Sequence, residues 1–137
     1  IEESSVPSDA IQLDQVPFSR IPSIYSSKHI AFALTRKSPV TRVCFPVKFS
    51  EYVAAGLKVI VNEGIGDLPQ LVRMYDLGEV VADPSNIDEI VQCAGRLILR
   101  QQEGTTRPNE HAVPRCLDWR SEISQIELAY RMAVDKK

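Results

Sequence analysis

Pro46-Val47-Lys48-Phe49-Ser50-Glu51-Tyr52-Val53-Ala54-Ala55-Gly56-Leu57-Lys58-Val59-Ile60-Val61-Asn62 holds a helix start, a helix stop and a strand in one run. Proline suits the first helical turn, where its missing N–H leaves nothing unpaired. The helix predicted from Val47 to Ala55 stops at Gly56, the usual left-handed cap. Lys58 to Asn62 is rich in β-branched residues and reads as a strand. Downstream, Gly64-Ile65-Gly66 turns the chain and Asp67 can cap a helix from Leu68 to about Tyr75. Gly78 is expected to end that segment, with a short strand from Glu79 to Ala82.

Working upstream, His29 to Leu34 is apolar after its first residue, as in a strand covered on both faces. A loop from Thr35 to Phe45 follows it, carrying Pro39 and the cations Arg36, Lys37 and Arg42. Ile21 to Ser26 reads as a short helix with Pro22 in its first turn. Ala10 to Val16 alternates with period two and is predicted to be a strand ended by Pro17. Towards the C-terminus, Ser85 and Asp88 have capping-box spacing, with Asp in place of the usual Glu. Ile87, Ile90, Val91, Ala94, Leu97 and Ile98 then mark one face of a long helix. Gly104 to Pro114 is a polar connection. A last helix is expected from Asp118, with Trp119, Ile123, Ile126, Tyr130 and Ala133 on one stripe.

Strands alternating with helices through short loops predict an α/β fold with a parallel sheet. In such sheets ligands bind outside the carboxyl ends of the strands. The loops that matter are therefore Thr35 to Phe45 and Asn62 to Asp67.

The composition agrees with an ordinary domain. The chain has 137 residues, 44% hydrophobic and 25% charged, which suits one domain and one core. A formal net charge of -2 gives no long-range attraction to phosphate backbones, so general nucleic-acid binding is not expected. No apolar run reaches membrane-spanning length. Ile1 to Ala10 is polar and acidic, unlike a signal peptide, and Ile1-Glu2-Glu3-Ser4-Ser5 reads like the interior of a longer chain. Cys44, Cys93 and Cys116 have no framework spacing, which argues for a reducing compartment. With only His29 and His111 besides, neither a metal site nor a cofactor is expected. Cys93 reads as a small buried hydrophobe within the long helix.

A helix start at the carboxyl side of a strand exposes the N–H groups of Val47 and Lys48 to the ligand crevice, where they attract phosphate. Lys48 adds a cation. Glu51, three residues on, shares its face. Its carboxylate can accept two hydrogen bonds from a ribose diol, which a nucleotide offers. From spacing alone, a Lys and a Glu at this separation on a helix are usually a solvated ion pair worth a few tenths of a kcal/mol. The Gly64-Ile65-Gly66-Asp67 turn is explained as well by a plain strand-to-helix turn as by a phosphate loop. His29 reads as a structural residue opening a strand, and His111 has no recognisable partner.

Pro46 to Ile60 resembles the signature of glycosyltransferase family 4, the GT-B enzymes often called group 1. Asn62-Glu63-Gly64-Ile65-Gly66-Asp67-Leu68-Pro69 is similar to the strand end and turn that follow it there, and Gly78-Glu79-Val80-Val81 to the next strand. The closing helix with Trp119 and Tyr130 is similar to the family's C-terminal helix. The resemblance implies a Rossmann-like parallel sheet flanked by helices, belonging to the nucleotide-sugar-binding C-terminal domain. It implies that Glu51 holds the donor ribose and that Val47 and Lys48, following Phe45, face the diphosphate. Gln15 and Val16 would lie near the base. The implied reaction is transfer of a sugar to an acceptor hydroxyl with retention at the anomeric carbon.

Two departures bear on that expectation. Many family members carry a first Glu eight positions before the second, and here that position is Val43. The Gly-Arg…Lys-Gly stretch that opens the family's C-terminal domain is also missing and would lie upstream of Ile1. The resemblance therefore implies a donor-binding fragment without turnover of its own, its acceptor site in an N-terminal domain of a parent protein. Such a parent would be cytoplasmic, with any peripheral membrane association in the missing part. The family's strand order 3-2-1-4-5-6 would leave two strands unfilled between Ala10–Val16 and His29–Leu34. Exposed sheet edges and a homo-oligomer are then expected. The alternative is a non-catalytic α/β module that binds a partner protein.

Overall fold

The computed structural model describes residues 7–103, Leu117, Arg120 and residues 123–134. Its frame is a parallel sheet of three strands, β1 (Ile30–Ala33), β2 (Lys58–Asn62) and β3 (Gly78–Val81), in the order β1-β2-β3. Ile30 sits beside Lys58, and Val59 beside Gly78. Helix α1 (Ile21–Tyr25) precedes β1, α2 (Val47–Ala54) joins β1 to β2, and α3 (Leu68–Met74) joins β2 to β3. Helix α4 (Ile87–Gln102) follows β3, and α5 (Ile123–Val134) comes last. The chain is an α/β fold of Rossmann-like arrangement, a parallel sheet flanked by helices.

Alternation along β2 sorts the core into two layers. Val59 and Val61 point to one face, where they pack with Phe49 and Val53 of α2 and Leu68 and Val72 of α3. Ile60 points to the other and meets Val81, Cys93 and Leu97. Burying a side chain such as Phe49 or Ile60, each fully inaccessible, contributes about 1.5–3 kcal/mol. Asn62 is the one buried polar side chain among the described residues. It is satisfied on both sides, accepting from Thr35 N–H at 2.7 Å and donating to Glu63 O at 2.9 Å. The first of these bonds ties the segment just after β1 to the end of β2.

Helices α2 and α3 stop in the same way. Leu57 N–H bonds Tyr52 O and Gly56 N–H bonds Val53 O, with Gly56 at φ 78°. After α3, Leu77 N–H bonds Val72 O around Asp76 at φ 48°. Leu57 and Leu77, the residues after each left-handed position, are both buried, which completes the motif.

Several expectations are corrected here. Ala10–Val16 is not a strand: Ser8–Ala10 forms a 3₁₀ turn and residues 11–17 have no regular structure. Ile11 and Leu13 are 53% and 90% exposed, so its alternation finds no sheet to pair with. β1 is not covered on both faces, because Phe32 is 51% exposed. Asp76, not Gly78, closes α3. Gly78 is instead required inside the sheet, where a Cβ would lie 1.9 Å from Val59 O. Asp67 stands at the start of α3 without a side-chain cap bond. The cap of α4 is Asn86, whose side chain accepts from Glu89 N–H, while Ser85 bonds Asp83. Only part of the expected α4 stripe is buried: Ile87, Val91 and Ile98 are exposed, and the inward line is Ile90, Cys93, Ala94 and Leu97. The last helix is described over Ile123–Val134; Asp118, where it was expected to open, lies outside the described residues, as do Trp119, Cys116 and His111.

Candidate functional site

The crevice at the carboxyl ends of the strands is built by three loops. The segment after β1 runs from Leu34 to Pro46 and is folded on itself by Thr41, whose hydroxyl donates to Ser38 O at 2.9 Å and accepts from Ser38 N–H at 2.9 Å. The turn after β2 abuts it: a Cβ on Gly66 would lie 3.3 Å from Cys44 O and 3.5 Å from Arg42 O. The segment after β3 is tied to the first loop by Lys37, whose ammonium donates to Ala82 O at 2.8 Å.

Two hollows open between these loops, with Lys37 common to both. One, of about 340 Å³, is lined by Lys37, Ser38, Arg42, Glu63 and Gly64. The other, of about 530 Å³, is lined by Arg36, Lys37, Asp83 and Ser85. Ser85 donates its N–H and its hydroxyl to Asp83, at 3.0 and 2.7 Å, which holds that carboxyl below its ordinary range. Glu89 accepts from Ala82 N–H at 2.8 Å and fixes the approach to α4. Glu63 is engaged by Arg73. The cations Arg36, Lys37 and Arg42 thus collect where a parallel sheet presents its ligands.

The expected site residues fall into three places. Val47 and Lys48 open α2, whose start carries no side-chain cap; Val47 is 72% exposed. Lys48 Nζ meets Glu51 Oε2 at 3.1 Å. The Glu51 hydrogen bond, followed by the influence of Tyr25, raises the Lys48 pKa. Phe45 leans edge-on against Phe49, with ring centroids 5.9 Å apart, and so covers the end of the core. Gln15 and Val16 are not at the strand ends. They line a hollow of about 770 Å³ beside α1, together with Ile21, Tyr25 and Lys28.

Tyr25 joins the first and the last of these places. Its ring meets Tyr52 of α2 edge-on at 5.2 Å, which seats α1 on the same helix that carries Lys48 and Glu51. Burial, followed by the influence of Tyr25, raises the Tyr52 pKa. Tyr25 and Asn62 have roles here that the sequence did not suggest, since each depends on a partner distant in the chain. Lys37 and Arg42 were visible as loop cations, and only the fold gathers them.

The gathered cations suit binding of an anion. His29 sits at the opposite end of β1, its Nδ1 2.6 Å from Gln101 Nε2, so no imidazole enters the crevice from there. Among the described residues no three His, Cys, Asp or Glu side chains converge to hold a metal ion. Nor is any described helix long and apolar enough to cross a membrane. Searches against models of protein families, curated proteins and solved structures returned no match.

Proposed function

We propose that this chain binds the nucleoside diphosphate of a nucleotide-sugar, as the donor-binding part of a retaining glycosyltransferase resembling family 4. The observation that carries the reading is the gathering at the strand ends of Lys37 and Arg42, on the loop that leads into the uncapped start of α2, with Gly64 of the turn after β2. Phosphate oxygens there meet cations and free helix N–H groups together. Glu51 then exchanges its contact with Lys48 for the ribose diol. An exposed pair of this kind is held weakly against solvent, so breaking it is no obstacle. Gln15 and Val16 take the base side, with Tyr25 between them and α2.

In this reading the acceptor is held by a separate N-terminal domain of a cytoplasmic parent protein, and this chain alone does not turn over. Val43, at the position of the family's first Glu, leaves the sugar to other loop residues. The second reading, a partner-binding module, draws on the exposed apolar residues beside β1.

Protein-observed NMR titration of the full chain with UDP and GDP tests the proposal. Shifts are expected at Lys37, Arg42 and Val47 to Glu51, and Glu51→Gln should weaken binding about tenfold, or about 1.4 kcal/mol. The 2′-deoxy diphosphate should bind no better than that variant does with the ribonucleotide. Absence of shifts with both nucleotides overturns the donor reading and leaves the module.

A further inference from the structure

Among the described residues nothing pairs with the outer edge of β1, and that edge borders an apolar notch whose location follows from α4. Ile90, Cys93 and Leu97 face the sheet. Arg96 and Arg100 lie on one flank of that line and reach back to Glu79 of β3, at 2.9 and 3.4 Å. Ile87, Val91 and Ile98 lie on the opposite flank, which by helical geometry overhangs the β1 side. The contact of Gln101 with His29, just before β1, agrees with this placement. Phe32 points to the same face, since it pairs in register with Ile60. Ile87, Val91, Ile98 and Phe32 are 66, 62, 48 and 51% exposed. An unpaired strand edge beside exposed apolar side chains is a template for a further strand.

The chain carries a segment of matching chemistry. Residues 11–14 alternate apolar and polar, as a half-buried strand requires. Gln12, Asp14, Gln15 and Val16 line the hollow beside α1, whereas Ile11 and Leu13 are left exposed on the outside. The segment is therefore seated on its own α1 with Ile11 and Leu13 turned outward, available to another molecule. Charge agrees as well. β1 has the exposed cation Lys28 before it and Arg36 after it, and the segment is preceded by Asp9. With Leu13 opposite Phe32, Asp9 falls opposite Lys28 in a parallel pairing and opposite Arg36 in an antiparallel one.

We propose that the β1 edge and its notch receive residues 10–16 of a second copy of this chain, with Ile11 and Leu13 entering between Phe32 and the overhanging flank of α4. Backbone bonds of the added strand supply affinity, and the two apolar side chains set the register.

Sedimentation equilibrium of the full chain over a range of concentrations tests this. Self-association is expected, weakened about tenfold or more by Leu13→Asp, a change that the single chain tolerates because Leu13 is 90% exposed. Asp9→Lys should weaken it too, and adding Lys28→Glu or Arg36→Glu should restore it for whichever cation is the partner. A chain that stays monomeric overturns the proposal, including the case in which hydrogen exchange shows the β1 edge closed by its own residues 10–16. Association indifferent to Leu13→Asp overturns it in favour of direct β1-to-β1 pairing.

Discussion

Gly78 shows how much one residue can settle. It stands at the start of β3 beside Val59, and a Cβ there would lie 1.9 Å from the Val59 carbonyl oxygen and 2.6 Å from its nitrogen. Neither atom can give way without moving β2, the central strand. Gly95, within α4, has nothing within 4 Å of the same added atom. Gly78→Ala should therefore destabilise by about 2 kcal/mol or more through overpacking. Gly95→Ala should stabilise by roughly 0.5–1 kcal/mol through helix propensity. Urea denaturation of the two variants checks the contrast, and equal effects would contradict it. The sequence marks both only as glycines, because the requirement at Gly78 comes from a strand that lies distant in the chain. Asp76 teaches the same lesson from the other side. It takes the left-handed position usually filled by glycine, and its carboxylate lies 3.3 Å from the Lys58 ammonium, which also reaches its backbone carbonyl.

Among the elements, α2, β2 and α3 were legible to within a residue, because their signals are local. Pro46 opens α2 and Gly56 closes it, and the β-branched run from Lys58 fills β2. Helix α4 was legible as a helix and misread at its cap. Asn86 and Glu89 hold the capping spacing, with Glu89 N–H donating to the Asn86 side chain at 3.2 Å. Ser85, one residue earlier, caps nothing and instead closes a turn with Asp83. Asn86→Ala should cost about 1 kcal/mol, in the usual range for a lost N-cap. Ser85→Ala should cost about half that or less, since its N–H bond to Asp83 survives the change. Thermal unfolding of both separates the assignments. The α4 stripe shows why an apolar periodicity is not a burial map. Ile87, Val91 and Ile98 fit the helical period as well as Ile90 and Leu97 do, and only the width of the sheet beneath decides which are covered.

For the whole molecule, the sheet has one strand buried from both sides and two edges. Val59, Ile60 and Val61 of β2 are fully inaccessible and link the two core layers. In α5, Ile123, Ile126, Leu128 and Met132 remain 38–57% exposed. Hydrogen exchange should therefore be slowest at Val59 to Val61, limited by global unfolding, and faster by local opening in α5. Similar protection in both would contradict this ranking. The candidate site was half legible at this scale. Lys48 and Glu51 follow from helical spacing, and their pairing at 3.1 Å was readable in advance. The gathering of Lys37, Arg42 and Gly64, and the distance of Gln15 and Val16 from them, depends on how three loops meet. By itself the sequence determined the order of helices and strands, the parallel α/β plan and the loops that meet at the strand ends. These rest on periodicity, capping and short connections, which neighbouring residues dictate. Only the tertiary structure decided that Ala10–Val16 forms no strand, that Phe32 and one flank of α4 stay bare, and that Gly78 must be glycine. Each of those turns on whether a distant surface is there to cover the residue or crowd it.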